Sequence, residues 1–331
     1  MKLSQGALEG LSLGQPATVR NLTVFPLLGG EPREPRYRLL ADALLSGAVS
    51  IAEVSDAGAV PTVRLVNRGD QPVLLLDGEH LIGCKQNRIV NTSVLVAACS
   101  ELALPVSCVE QGRWSFDSSH FSNSDRAMFS ELRAAKAAQV TRNLKASASH
   151  DANQSEIWAG IASKSERLGS DSRSGAMSGI YSRRERDVED YLAGVELVPG
   201  QRGAIFAING RAVGLEMLDA QVTWTRCFKK VVSGYALDAI DHQTGIASAA
   251  TSEEARRFVT RVSAGDESTF RGVGLGQDVR LEGQGLCGMA LVADEAVIHL
   301  CAFDLATEPH GNSARRVRPW RATDWNPTTD D

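Results

Sequence analysis

No run in this 331-residue chain approaches the ~18 to 20 apolar residues that a membrane-spanning helix needs, so no such helix is expected. Met1–Ala7 has no sustained apolar stretch after Lys2, and no signal peptide is read there. Paired cysteine motifs are missing too. The six cysteines (84, 99, 108, 227, 287 and 301) contain no C-x-x-C, which argues against a zinc ribbon or a dithiol redox motif. Reduced thiols in the cytoplasm are the expectation. Histidine is scarce. His120, His150, His242, His299 and His310 stand far apart, so no metal site is expected, although Glu79, His80 and Cys84 are ligand types. A basic excess is also lacking. The formal net charge of -5 gives no reason to expect nucleic acid or an anionic membrane as a partner. No repeat with a period of about 20 to 50 residues stands out.

What remains is ordinary globular composition, 43% apolar and 23% charged, in a chain long enough for a large core. Residues 1–20 read as a short amphipathic segment and a linker. Short β-branched or Leu-rich runs at 22–28, 49–54, 60–67, 73–77, 94–98 and 106–109 predict strands. A short helix is expected over 37–45. The Asn67-Arg68-Gly69-Asp70 turn between two apolar runs predicts a hairpin. Ser124-Asp125 resembles an N-cap for a long helix over 126–146. Ile157, Trp158 and Ile161 suit another helix, 169–180 reads as a mobile Ser-Gly loop, and 183–193 returns to helix. Asn209-Gly210 predicts a hairpin between strands 203–207 and 213–217. Asp219 is expected to cap a helix running to about 239, and 252–262 suits another. Four strands follow, at 269–273, 279–282, 288–292 and 297–303. The expectation is an α+β fold: a β-rich N-terminal half with antiparallel hairpins, a helical insertion at about 124–194, and further strands near the C-terminus. The domain is placed at 21–305, followed by a polar irregular tail, 306–331.

The chemistry concentrates in two blocks. The first runs from Asp77 to Ser93 between apolar flanks, Val73–Leu76 and Val94–Ala98; the second is Val106–Trp114. Polar groups held against such flanks are costly unless partnered. Lys85, Arg88 and Arg113, with Gln86, Asn87 and Asn91, offer donors suited to phosphate, ribose or carboxylate, and Arg grips such groups through two parallel bonds. A buried ion-pair network of Glu79 or Glu110 with Arg88 or Arg113 is the alternative. Glu79 and Glu110 are candidate general acid and base, or mere orienters of the cations. Trp114 suits stacking on a base, or plugs a core. Cys108 reads as a nucleophile only in a cationic setting, and otherwise as an inert thiol. The glycines of Arg271–Gly276 make a weak dinucleotide fingerprint and fit a hairpin better.

These blocks, Gly78-Glu79 through Gly83-x-Lys85-Gln86-Asn87-Arg88-x-x-Asn91-x-Ser93 and Pro105 through Trp114, resemble a little-characterised bacterial family. It is the ADP-ribosylglycohydrolase and rhodanese-phosphatase associated protein domain family. Weaker likeness lies at Gly214–Glu216, Ser233–Ala239 and His299–Phe303, and the resemblance covers about residues 15 to 305. Cys84 departs from it, where a small residue such as Gly is expected. The resemblance implies a place in metabolism of NAD-derived ADP-ribose or in handling of ADP-ribosylated molecules, and supplies no list of reacting residues. Two functions are therefore expected as alternatives. One is an enzyme that hydrolyses, or transfers a group from, an ADP-ribose-like or phosphorylated nucleoside ligand, with Glu79 and Glu110 reacting and Lys85, Gln86, Arg88, Asn91, Arg113 and Trp114 binding. The other is a non-catalytic sensor or scaffold. A small-molecule partner is expected, no cofactor is named, and self-association is left open.

Overall fold

The computed structural model describes residues 2–30, 33–55, 57–243 and 248–305, so the tail from 306 lies outside the described residues. The fold is α+β, and the strands order into three sheets. A nine-stranded antiparallel sheet runs, from edge to edge, through Leu11–Leu13, Leu22–Gly29, Gln201–Ile208, Arg211–Leu218, Ala296–Asp304, Leu286–Ala293, Gln277–Gly283 and Asp266–Arg271, with Ala17–Val19 also on Leu22–Gly29. A six-stranded sheet orders Phe121–Ala127, Glu79–Gly83, Arg88–Val90, Ser100–Cys108, Thr62–Asn67 and Val49–Glu53. A three-stranded sheet holds Val94–Val96, Val73–Leu75 and Arg38–Leu39.

The large sheet is apolar on both faces, which explains its continuous hydrophobic runs. Ala204, Phe206 and Ile208 face one core while Ile205 and Ala207 face another; Cys301 and Phe303 alternate with Leu300 and Ala302 in the same way. The first core is covered by helices Ser130–Ser147 and Gln221–Asp241, through Leu132, Trp224 and Tyr235. The second is covered by helix Ser252–Ala264, through Ala255, Phe258 and Val262, and by Leu8 of helix Leu3–Leu8. A third core fills the smaller sheets with Ile51, Val63, Leu65, Leu75, Leu81, Val94 and Leu104. At the 209–210 turn, Asn209 and Gly210 have φ of 50° and 81°, the paired positive values a tight two-residue hairpin turn requires.

Several local expectations are corrected. Strands Thr62–Asn67 and Val73–Leu75 do not form a hairpin; they enter different sheets. Thr62–Asn67 already has a partner on each edge, and Asn67 turns the chain away by accepting from the Gly69 N–H and donating to Gln71 and Ala97 carbonyls. Helix 37–45 is shorter, Leu40–Leu45, because Arg38–Leu39 pairs in parallel with Val73–Leu74. Ser124 is no N-cap, since Phe121–Ala127 is an edge strand on Glu79–Gly83 and the long helix starts at Ser130. That helix is met at its start by Asp238, which accepts from the Glu131 N–H at 2.9 Å. Asp219 does not cap helix Gln221–Asp241 either. Ala220 stands at the cap, and the Asp219 carboxylate accepts from the Tyr37 hydroxyl. Part of the 169–180 loop is helix Met177–Arg183.

Candidate functional site

The first half of the long polar block meets the second block. Strand Arg88–Val90 pairs with Val106–Cys108, which carries the following turn to Gln86. The Gln86 amide donates to the Glu110 carbonyl at 3.0 Å, and the Asn87 N–H donates to Glu110 Oε2 at 3.1 Å. Arg113 closes the turn. Its guanidinium donates to Glu110 Oε2 at 2.6 Å, to Asn87 Oδ1 at 3.2 Å and to the Cys84 carbonyl at 2.6 Å. The Ser-rich segment then docks on top. Ser174 Oγ donates to Glu110 Oε1 at 2.8 Å, Gly112 N–H donates to the Ser174 carbonyl at 2.8 Å, and Glu110 pairs with Ala176. Burial pushes the Glu110 carboxyl up, but Arg113, Ser174 and the Asn87 N–H outweigh it and hold it below the usual carboxylate range. Both Glu110 oxygens are occupied, so it is a poor proton acceptor. Glu110→Gln is expected to lower stability by about 1–3 kcal/mol, because Arg113 loses its counter-charge and an amide nitrogen replaces either the oxygen Arg113 and Asn87 share or the one Ser174 uses. Denaturant titration and proteolysis within 169–176 would read this; an unchanged midpoint would show that the segment is held otherwise. Cys84 bridges the blocks with a φ of 45°, in the region that favours glycine, which is why a small residue is expected there.

Beside this clasp lies a cluster around Arg88. The side chain is fully buried, and its Nη1 donates to Gln86 Oε1 at 2.9 Å. Its Nε and Nη2 find no oxygen or nitrogen acceptor among the described residues. That edge is the two-pronged face with which arginine grips an anion or a diol. Glu53 stands opposite, with Oε1 3.9 Å from Nη2 and Oε2 likewise unpartnered. The Trp114 ring centroid is 5.7 Å from the Arg88 guanidinium carbon and 5.4 Å from Lys85 Nζ, which is also 5.0 Å from the Phe116 ring. Gly58 comes against Lys85, Trp114 and Glu53 together. Trp114 and Phe116 are about half exposed, 47% and 54%. The Cys108 thiol sits near Arg88, but burial pushes its pKa up despite that guanidinium, so it stays protonated.

Glu79 and Asn91 point elsewhere. Glu79 accepts from the Leu76 N–H at 3.0 Å, Asn123 at 2.8 Å and Lys230 at 2.7 Å, and lines a cavity of about 280 Å³ with Arg226, Lys229 and Lys230. Among the described residues no side chain or backbone N–H hydrogen-bonds both Glu79 and Glu110. Asn91 accepts from Ser107 and donates to the His150 carbonyl. His80, between the two regions, is fully buried with both ring nitrogens unpartnered among the described residues; burial, then Lys230, lowers its pKa to about 4, so it is neutral.

The largest polar assembly went unforeseen. Leu215, Met217 and Leu300 face one core, so alternation turns Glu216, His299 and Cys301 to the opposite face, where Glu216 registers with Cys301 and Leu218 with His299. Helix Ser130–Ser147 lies on that face and delivers Arg133 and Lys136, one turn apart. Arg133 bridges Asp77 (3.0 Å) and Glu216; Lys136 bonds Asp77 and the Asn91 carbonyl (2.8 Å). Ser93 accepts from the Asp77 N–H at 2.8 Å and meets His299 Nδ1 at 2.7 Å, while His299 Nε2 is 3.1 Å from Glu216. Tyr235 donates to Glu216 at 3.0 Å. Thr92 and Arg280 both donate to Asp278 nearby. All of these side chains are buried. Burial pushes Asp77 up, yet Lys136 and Arg133 hold it below the usual carboxylate range. Ser93, His299 and Glu216 follow the order of a nucleophile relay, but Ser93 is only 2% exposed and already accepts a backbone N–H, so it is no reachable nucleophile. The signal available in sequence was the spacing Arg133–Lys136 on an otherwise Ala-rich helix.

A family model matches residues 10–303. The chain belongs to the ARG and Rhodanese-Phosphatase-superfamily-associated Protein domain family, ARPP-1. No curated protein and no solved structure matches it. Among the described residues of this ARPP-1 domain, two groups have metal-type ligands close together. Glu216, His299 and Cys301 form one, and Glu131, Asp241 and His242 the other. Cations of the chain already stand in both. Arg133 occupies Glu216, and Lys164 Nζ lies 3.0 Å from Glu131 and 2.8 Å from Asp241. A divalent ion would face a buried positive charge in either place, so neither is read as a metal centre. No helix among the described residues is long and apolar enough to cross a membrane.

Proposed function

We propose that this chain binds an ADP-ribose-like or other phosphorylated nucleoside ligand at the Arg88 cluster. The Nε/Nη2 edge of a fully buried guanidinium carries the reading: it makes no hydrogen bond to oxygen or nitrogen, and has only the Glu53 carboxylate at 3.9 Å and the Cys108 thiol beside it. Buried donors of this kind are nearly always satisfied, and the cost of leaving them unmet is supplied by water or by a ligand. Facing Glu53 favours a group that accepts from Arg88 and donates to the carboxylate, which is the behaviour of a ribose hydroxyl. Half-exposed Trp114 and Phe116 suit a stacked base, and Lys85 beside them suits a phosphate. The family's association with ARG, taken as ADP-ribosylglycohydrolase, supports the same ligand class.

Binding is favoured over hydrolysis by Glu79 or Glu110, because each has both oxygens engaged. Glu53, with one oxygen unpartnered, is the carboxylate that a hydrolase or transferase reading would use as base. The six unpaired cysteines support a cytoplasmic location. Calorimetric titration with ADP-ribose, NAD and AMP tests the proposal. Arg88→Gln is expected to weaken binding at least about tenfold, and Trp114→Ala, at an exposed position that leaves the fold intact, by a similar factor. Absence of heat with all three ligands, or affinities unchanged in both variants, would overturn it. Product release that Glu53→Gln abolishes would establish catalysis; binding without product establishes the sensor.

A further inference from the structure

A cavity of about 540 Å³, separate from the Arg88 cluster, opens where helix Gln221–Asp241 begins. Its walls carry three guanidiniums, Arg33, Arg202 and Arg226, with Glu34 at an exposed position. Gly29, Gly30 and Gly200 form the opposite side, so backbone rather than side chains faces the space there. Gly30 lies so close to Arg202 that a Cβ would strike its Nη1. Arg202 is thereby positioned, half-buried, with its Nε donating to the Leu218 carbonyl at 3.3 Å.

Among the described residues the counter-charge is thin. Arg33 stands 3.8 Å from Asp219, and that one carboxylate also accepts from Tyr37 and acts on Arg202. Burial pushes the Asp219 carboxyl up. Arg226, itself exposed, has a half-buried partner, Asp42. The helix adds to the imbalance: it is 21 residues long, its cap residue Ala220 makes no side-chain bond, and its first turn has no acidic residue. Gln221, Val222 and Thr225 of that first stretch line the same cavity.

We propose that this cavity is a second binding site, for the phosphoryl groups of a small molecule, with Arg33 and Arg202 gripping the oxygens and Arg226 at the rim. Planar forks that each reach two oxygens, bare glycine backbone and the positive end of a helix are complementary to a tetrahedral polyanion, and two clustered forks favour a diphosphate over a single phosphate. It goes beyond the nucleoside reading, since none of Arg88, Glu53, Lys85, Trp114 and Phe116 lines it. Titration of the full chain with inorganic pyrophosphate, and separately with orthophosphate, against sodium chloride of matched ionic strength, tests it. Pyrophosphate is expected to bind more tightly than orthophosphate. The Arg33→Gln/Arg202→Gln double variant is expected to lose at least about tenfold in affinity, while Arg88→Gln retains it. Val222 is exposed in the first turn, so Val222→Asp places a carboxylate at the cavity without touching the core and is expected to weaken pyrophosphate similarly. Binding no stronger than the chloride control, affinity unchanged in both cavity variants, or loss in Arg88→Gln instead would overturn the proposal.

Discussion

Arg133→Met is expected to lower the stability of the chain by about 3–5 kcal/mol, the range for removing one partner from a buried ion pair. Methionine fills most of the hydrocarbon volume, so the loss reports charge rather than packing. Two carboxylates are left short at once. Asp77 keeps only Lys136, and Glu216 keeps His299 and Tyr235. Neither reaches water, because both are nearly fully buried. Denaturant titration reads the change as a lower midpoint. Arg133→Lys separates charge from geometry: one ammonium cannot serve both carboxylates as the planar fork does, and an intermediate loss is expected. A change below about 1 kcal/mol for the methionine variant would mean that the assembly adds little beyond the packing around it.

Lys164→Met is expected to be as damaging, and its effect to depend on pH. The ammonium lies 2.6 Å from Asp238, 2.8 Å from Asp241 and 3.0 Å from Glu131, and is almost wholly buried. Without it three acids converge with only Arg167 and His242 to answer them, and the loss is again about 3–5 kcal/mol near neutrality. The acids set the sign of the pH response in the unmodified chain. Although burial opposes it, His242 and Lys164 lower Glu131 from 4.5 to about 2, and Arg167 and Lys164 lower Asp241 from 3.8 to about 2. Their folded values lie below their unfolded ones, so their contribution is present above the unfolded values and disappears as pH falls from 4.5 toward about 2. His242 acts oppositely. Glu131 raises it above 6.5, so its contribution is full below that value and is lost as pH rises through the raised one. Asp238, held up by burial, offsets part of the acid response. Denaturation midpoints across the acid range should fall steeply in the unmodified chain and more shallowly in Lys164→Met. Parallel profiles would remove Lys164 from this role.

Much of the fold was legible because both faces of the large sheet are apolar and its turns carry Asn-Gly or Gly signals. Strand Phe121–Ala127 was not, since FSNSDRA is polar and a register shift between Asn123 and Ala127 breaks the alternation that would have marked it. The turn at Asn67 misled because local turn chemistry does not say which strand edges are already filled. In the candidate site, the meeting of Gln86, Asn87, Glu110 and Arg113 follows from strand pairing of the two blocks. Ser174, Lys230 and Glu53 were invisible as partners because each arrives from a distant segment. Arg133, Lys136 and Lys164 are good helix formers of types mostly found exposed, and nothing local marks them as buried; only the layer above their helices turns them inward.

The row from Asp77 through Arg133 to Glu216 has one end beside the smaller sheets and the other in the largest. Charges locked across that seam cannot separate without stranding one another in a dry interior. Neither layer can therefore open alone at low cost, and the slowest-exchanging amides of both are expected to share one opening energy and melt as a unit.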